Sequence, residues 1–262
     1  MIPTEVNEMT MRTQLSPQAM QCIELLEEKS KAAEIFLSQH QLQQFGIYYD
    51  RLTETNKVMN LTSLTSPLDV AVKHFIDSLL CYDAALLKGK KVIDVGTGAG
   101  FPGLPLKIFD PSLQLILLDS LAKRLNFLQQ VAEALQLPGI RFEHMRAEDA
   151  GSGSKLRGKS DVAVSRAVAR LSVLAEYCIP LVKKGGYVIA LKGSKYKEEI
   201  EEAEKAVSLL GGKVMSVKEV SLPGLDDGRA IIVIKKIKDT PAAYPRKAGI
   251  PGKKPLGSVQ TN

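Results

Sequence analysis

The sequence predicts an α/β fold on a mainly parallel, doubly wound sheet, with a terminal antiparallel hairpin and N-terminal helices. Three observations carry this. From Lys91 onward, short apolar runs alternate with stretches whose apolar residues recur at helical spacing. The first run, VIDV (92–95), opens into a glycine-rich turn, GTGAG (96–100). The chain then closes on two β-rich runs, KVMSVKEVSL and RAIIVIKKI (229–237), readable as a hairpin pair. Strands that alternate with helices need crossover connections, which lay the strands parallel. At 262 residues, with 45% hydrophobic and 24% charged residues, the composition is that of an ordinary globular protein. That length suits one α/β domain with extensions, or two small domains.

Taken in order, the first ~20 residues are polar and expected to be mobile, with Met9, Met11 and Met20 as alternative starts. Residues ~20–57 place Ile35, Leu42, Phe45, Tyr49 and Leu52 at helical spacing. SPLD (66–69) is a helix start, with Ser66 as N-cap, Pro67 at the first position and Asp69 at the third. That helix runs to about Cys81. The strand VIDV and the glycine turn lead into a helix around LPLKIF. LQLILLD (113–119) precedes the helix LAKRLNFLQQVAEALQ. IRFEHM (140–145) is followed by a linker, GSGSKLRGKS (151–160), and by the strand DVAVSRAV (161–168). The helix LSVLAEYCIPLV, the strand GYVIALK (186–192) and the helix YKEEIEEAEKAVSLL precede the hairpin. Five βα-type units and a hairpin fit a Rossmann-like sheet better than a TIM barrel, and no internal repeat is visible. The division expected is an N-terminal helical extension (1–66), a central α/β domain (67–238) and a basic C-terminal tail (239–262).

Charge is unevenly placed. The net charge is +6, from 35 basic and 29 acidic residues. From Lys235 to the end there are seven bases and one acid, Asp239, which leaves 28 of each sign before it. A neutral body with a basic tail implies a polyanionic partner. Arg246, Lys247, Lys253 and Lys254 suit sequence-independent contacts to a nucleic-acid backbone. No apolar run reaches the roughly 18–20 residues that span a bilayer, and the N-terminus has no signal-peptide core. Cys22, Cys81 and Cys178 form no CxxC pair and read as buried, reduced thiols, consistent with a cytoplasmic protein. The acceptor triplet Asn60-Leu61-Thr62 is then a chance match.

The glycine turn carries two signatures. From Gly98 it is G-x-G-x-x-G (Gly98, Gly100, Gly103), the dinucleotide fingerprint. From Asp94 it is an acid at a strand end followed by G-x-G-x-G (Gly96, Gly98, Gly100). In both, small residues let the backbone approach a ligand, and the following helix offers free N–H groups. Asp119, at the next strand end, can bond ribose hydroxyls in either reading. The sign of Asp94 separates them. A carboxylate near a pyrophosphate is unfavourable, whereas the ammonium and sulfonium groups of S-adenosylmethionine attract one. Glu148, in RAED after the third strand, is placed to accept from an adenine amino group. The residues therefore favour S-adenosylmethionine, with a dinucleotide or a non-binding turn as alternatives, and Gly103 is assigned to helix packing beside Pro102.

The chemistry is narrowed by what is missing. SRAVARL (165–171) replaces the Asp/Asn-Pro-Pro-aromatic stretch of exocyclic-amine methyltransferases, and no cysteine sits at a strand end to attack a pyrimidine. A ring nitrogen such as guanine N7 presents a lone pair and needs only positioning and desolvation. His74, Asp77 and Ser78 share a helix face but lack the strand-to-helix turn of a serine nucleophile. They read as a polar cluster that orders a lid or meets RNA.

Nine stretches recur in the order of a known family. They are NLTSLT (60–65), KHFIDSL (73–79), VIDVGTGAGFPGLPL (92–106), DSLAKRLNFL (119–128), RAED (146–149), SRAVARL, LVKKGG (181–186), LKG (191–193) and RKAGIPGKKPL (246–256). Between about residues 35 and 256 the chain thus resembles the RsmG (glucose-inhibited division protein B) family. The resemblance implies a Rossmann-like class I S-adenosylmethionine-dependent methyltransferase acting on guanine N7 of 16S ribosomal RNA, at guanine 527 of the 530 loop. It places the cofactor against Gly96 and Phe101, then Asp119, Ser120 and Leu121, then Ala147 and Glu148, and Arg166. One departure is at Ala99, near which the family often has another small residue or a proline.

His74, Arg124, Arg166 and Lys192 are the candidates for positioning the substrate, with no general base and no metal expected. A guanidinium repels a sulfonium, so the head of Arg166 should face RNA phosphate or a carboxylate such as Glu148. Lys192 and Lys195 flank Gly193 at a strand end, where phosphate contacts would fall. The partner implied is 16S rRNA or the small ribosomal subunit, with no membrane and a monomeric enzyme. The competing readings are a methyltransferase for a small molecule or protein, an NAD-dependent oxidoreductase, and a non-catalytic ribosome-associated protein.

Overall fold

The computed structural model describes residues 15–153, 155–225 and 227–257. The polar start, Met9 and Met11 included, lies outside the described residues as far as residue 14. Helix α1 (Pro17–Ala32) opens on Ser16, whose side chain accepts from the Ala19 N–H, with Pro17 in the first turn. Helix α2 (Gln39–Met59) opens on a capping box in which Ser38 and Gln41 satisfy each other's backbone N–H groups. The region read as one periodic stretch is therefore two helices, broken where Ser38 offers a second start.

Helix α3 begins as predicted: Ser66 accepts from the Asp69 N–H, and Pro67 occupies the first turn. It is α-helical over Pro67–Asp69, π-helical over Val70–Ile76 and α-helical again over Asp77–Leu79. π-segments are uncommon and gather at functional sites. A short helix α4 (Ala84–Leu87) leads into the sheet.

The strands are β1 (Lys91–Val95), β2 (Gln114–Asp119), β3 (Ile140–His144), β4 (Ser160–Arg166), β5 (Val182–Lys192), β6 (Gly212–Val220) and β7 (Arg229–Lys236). They form one sheet in the order β3-β2-β1-β4-β5-β7-β6. β1 to β5 are parallel, whereas β7 runs antiparallel between β5 and β6. The terminal hairpin is thus present, with its second strand inserted inward. That placement follows composition, because RAIIVIKK is apolar enough for a central strand and KVMSVKEV presents Lys213, Met215 and Lys218 to solvent at the edge.

Two cores lie on the two faces. One joins Val92, Leu115 and Leu117 to Phe45, Tyr48, Leu52 and Phe75 of α2 and α3, and to α5 (Gly103–Phe109) and α6 (Ala122–Ala134). The other joins Ile93, Val95 and Ile232 to α8 (Leu171–Cys178) and α9 (Tyr196–Leu209). The N-terminal helices thus share a core with the sheet. Cys22, Cys81 and Cys178 are free and buried.

The C-terminal segment packs as a strap. Arg157 donates to the carbonyls of Gly151, Thr240 and Tyr244. Arg246 donates from Nε and Nη2 to Glu176 of α8, a carboxylate with no solvent exposure. The Arg246 backbone N–H donates to Glu176 as well. Arg246 is therefore not free for a phosphate: a buried carboxylate requires a cation, and Arg246 is it. Truncating Arg246 to alanine is expected to cost about 3 kcal/mol, because it strands a buried charge, while Lys247→Ala stays within about 0.5 kcal/mol. Urea unfolding of both variants checks this, and equal stabilities would contradict it.

Candidate functional site

The strand order reverses between β1 and β4, and a cavity of about 740 Å³ opens at the carboxyl ends of the strands there. Open α/β sheets bind their ligands at this switch point. The glycine loop, the ends of β2, β3 and β4, helix α3 and the C-terminal strap all contribute to the wall.

The loop is held from behind by Asp94. Its Oδ2 accepts from the Thr97 hydroxyl (2.6 Å) and from the Gly103 N–H (2.9 Å). Its Oδ1 is buried without a partner. Burial pushes the carboxyl up to about 6, and the bonds from Thr97 and Gly103 work against that rise. Asp94 has 0% exposure and does not line the cavity. The expectation that it meets a cationic ligand directly is corrected: strand alternation turns it toward α5, where it shapes the loop. Gly103 is assigned its packing role for a related reason, since a Cβ there would come within 2.7 Å of Asp94 Oδ2.

Gly96 and Gly98 line the cavity, whereas Gly100 turns away against the Tyr48 hydroxyl and Leu128. Gly98 has φ +60°, and a Cβ added there would meet nothing nearer than the Gly96 carbonyl at 3.9 Å. It would stand in open cavity, in the space a ligand pressed on the loop would occupy.

One end of the cavity is carboxylate-rich. Asp119 accepts from the Gly98 N–H through Oδ2 (3.0 Å) and from the Leu121 N–H through Oδ1 (2.9 Å), with Arg124 Nη1 3.4 Å from Oδ2. Ser120, Arg124, Ala147 and Glu148 line the same wall. Glu148, in the first turn of α7 (Ala147–Gly151), accepts from the Gly249 N–H of the strap (2.8 Å). Leu121 contributes its backbone to this end but its side chain is not in the cavity wall.

Helix α3 builds the other end. Arg166 donates from Nη1 to Asp77 (2.7 Å) and to the Lys73 carbonyl (2.9 Å), and its guanidinium lies 4.9 Å from the Phe101 ring centre. The carboxylate it meets is Asp77, not Glu148; Asp77 also pairs with Arg229 of β7 (3.0 Å). His74 stacks on Phe101 (4.5 Å between ring centres) and bonds through Nε2 to the Thr62 hydroxyl (2.9 Å). Burial, helped by Arg166, holds its imidazole down at about 4, so it is neutral at physiological pH. The π-segment is what brings Lys73, His74 and Asp77 to bear on one guanidinium. Beside them Ala167 takes a left-handed φ of +55°, uncommon outside glycine and asparagine, and Val168 lies over Gly96.

Of the other candidates, Lys192 is tied to the Ala169 carbonyl and to Glu199, both at 2.6 Å, and is 9% exposed. It braces the loop after β4, so the expected phosphate contact is corrected. Lys247, Lys253 and Lys254 are exposed, the last two at the short helix α10 (Ile250–Lys253). Sequence reasoning missed Tyr48, whose hydroxyl donates to the Ala99 carbonyl and props the loop from α2. It also missed the cavity positions of Thr62, Tyr177, Gly252 and Pro255. Thr62 had a signal in its place in NLTSLT, and Gly252 and Pro255 in theirs in RKAGIPGKKPL; Tyr177 had none. Among the described residues no cluster of His, Cys, Asp or Glu could hold a metal ion.

The sequence model of the GidB family, described as rRNA small subunit methyltransferase G, matches residues 41–227. The ribosomal RNA small subunit methyltransferase G of Lactobacillus johnsonii is 52% identical, covering 84% of this chain and 93% of that protein. The proteins of the same name from Desulforamulus reducens and Alkaliphilus oremlandii are 49% and 50% identical, over 88% and 90% of this chain and 97% and 100% of theirs. Among solved structures, a Pyrococcus horikoshii putative transferase, PH0793, has a TM-score of 0.50 at 15% identity, covering 62% of this chain and 63% of that one. The cyclase SpnF also scores 0.50 at 15% identity, covering 62% and 79%. Those two likenesses concern the fold alone.

Asp94 makes stability pH-dependent. Its folded-state value lies above the ordinary 3.8, so its contribution is full below that and is lost as pH rises toward 6. Asp94→Asn keeps an oxygen for Thr97 and Gly103 and removes the titration. The stability of Asp94→Asn relative to the native chain should therefore climb between pH 4 and 7, measured by urea unfolding at each pH; a difference constant across that range would contradict the assignment.

Proposed function

The chain belongs to the GidB family of rRNA small subunit methyltransferase G proteins, and from that membership we propose that it transfers a methyl group from S-adenosylmethionine to N7 of a guanine in 16S ribosomal RNA. By resemblance that base is guanine 527 of the 530 loop. The observation that carries the reading is the two-ended cavity. A glycine loop and two carboxylates form one end, and a neutral imidazole, an aromatic ring and a charge-balanced arginine form the other.

The residues present fit the methyl donor. Gly96 and Gly98 admit it to the backbone, Asp119 retains acceptor capacity toward ribose hydroxyls, and Ser120, Ala147 and Glu148 border the adenine side. When bound, S-adenosylmethionine supplies an electrophilic methyl group on a sulfonium. The chain's own task is then positioning. Guanine N7 has a free lone pair, so no residue need remove a proton, and the low value of His74 agrees with a polar contact rather than a proton carrier. Asp77 neutralises Arg166, which keeps a bare guanidinium away from the cationic donor. A base must leave its stack to enter such a cavity, and Leu61 and Phe101 offer it apolar walls. Lys247, Lys253 and Lys254, exposed beside the strap that lines the cavity, suit phosphate contacts.

Incubation of unmodified 16S RNA, free and assembled into small subunits, with the protein and tritiated methyl donor tests the reading. Borohydride–aniline treatment should then cut the labelled RNA at one guanine; label without that cut would refute N7 as the target. Gly98→Ala, which puts a methyl group into the open cavity, should weaken donor binding at least tenfold while costing only about 1 kcal/mol of stability; unchanged binding would contradict the cradle. Replacing Lys247, Lys253 and Lys254 together by alanine should lower the slope of log affinity against log salt by about 2–3, and an unchanged slope would exclude them as phosphate contacts.

A further inference from the structure

We propose that Thr62 is the residue that distinguishes guanine from adenine, by donating its hydroxyl hydrogen to the base oxygen O6. The inference rests on the guanine-N7 reading above and follows from donor–acceptor accounting at the end of the cavity built by helix α3.

Arg166 is a group that only donates. Its Nη2 lies 3.2 Å from Nδ1 of His74. The Lys73 carbonyl, also 3.2 Å from Nδ1, accepts from Arg166 Nη1 at 2.9 Å, but a proton on Nδ1 would set N–H against N–H across the 3.2 Å to Nη2. Nδ1 is thus the acceptor, and the single proton of the neutral imidazole sits on Nε2. Nε2–H then donates to the Thr62 oxygen at 2.9 Å. The Leu64 N–H donates to the same oxygen at 3.0 Å. A hydroxyl oxygen has two lone pairs, and both are now occupied. The hydroxyl can act only as a donor, and among the described residues no protein acceptor takes its hydrogen. Thr62 lines the cavity beside His74, Phe101 and Arg166.

The base edge that carries N7 differs in sign between the two purines. Guanine shows a second acceptor, O6, next to N7, whereas adenine shows the donor N6–H₂. A hydroxyl locked as a donor bonds the first and opposes the second. Arg166 thereby acts on base choice through two intervening groups, as a positioning residue. Asp77 and the π-helical Lys73 carbonyl hold it in place. None of this asks Thr62 to take part in methyl transfer itself.

The test pairs variants with substrate analogues in small subunits carrying guanine, inosine or 2-aminopurine at the target position. Inosine keeps O6, and 2-aminopurine lacks it. Thr62→Val should lower kcat/KM on guanine and inosine RNA on the order of 10- to 100-fold, and on 2-aminopurine RNA by less than about threefold. Thr62→Ser, which restores the donor, should return guanine RNA to within about threefold of the native enzyme. An equal loss on all three RNAs, or no loss on guanine RNA, would overturn the assignment while leaving the guanine reading intact. A native enzyme that produces no 7-methylguanosine on guanine RNA would instead overturn the reading on which it rests. Nitrogen-15 NMR of the imidazole gives a readout independent of activity. The proton is expected on Nε2 of His74, and a proton on Nδ1 would sink the proposal, because Thr62 would then donate to the ring.

Discussion

Neither oxygen of Asp94 reaches solvent, and the loop on which the cavity rests is folded around one of them. Through Oδ2 the carboxylate takes the Thr97 hydroxyl at the loop's start and the Gly103 N–H at the first turn of α5. The other end of the loop's curvature comes from Asp119, which accepts the Gly98 N–H. Two carboxylates on neighbouring strands thus clamp the loop by taking the Gly98 and Gly103 N–H groups, while Gly96, Thr97 and Gly100 donate to backbone carbonyls. Tyr48 adds a third hold on the Ala99 carbonyl from the N-terminal helices. Because the cavity floor is made of backbone, its shape depends on these polar anchors, not on side-chain bulk.

Charge elsewhere around the cavity is used in the same way. Arg166 and Arg229 converge on Asp77 and so tie β4 and β7 to helix α3. Glu176 binds Arg246, and Glu148 binds the Gly249 N–H, so that the strap carrying Gly252 and Pro255 closes one side of the cavity. The basic excess of the C-terminal end is therefore divided. Arg246 is committed to the buried Glu176, and Lys236 is buried, donating to the Val182 carbonyl with burial lowering it to about 8. Of the exposed lysines, Lys253 and Lys254 stand between Gly252 and Pro255 of the cavity wall, whereas Lys238 follows β7 at the opposite end of the sheet.

The local signals in the sequence carried much of the fold. Ser66-Pro67, the run VIDV and the alternation that follows each depend on neighbours a few residues apart, and each element appears where those neighbours place it. The break at Ser38 was equally local but was masked by helical spacing on both sides of it. What could not be read was long-range. Arg166 and Asp77 are 89 residues apart, and Arg246 and Glu176 are 70 apart. Nothing in the composition of either segment says which charge the other will bury. For the same reason Asp94 was assigned to a ligand: its position before the glycines was legible, but the face of β1 on which α5 would pack was not.

A cavity of this construction makes one claim above the others, that its floor accepts a phosphate-free adenosyl cation. Calorimetric titration of the full chain with S-adenosylmethionine and, separately, with NADH measures this directly. Saturable one-site binding of S-adenosylmethionine and no binding of NADH are the expected results. Saturable binding of NADH, or none of S-adenosylmethionine, would contradict that claim.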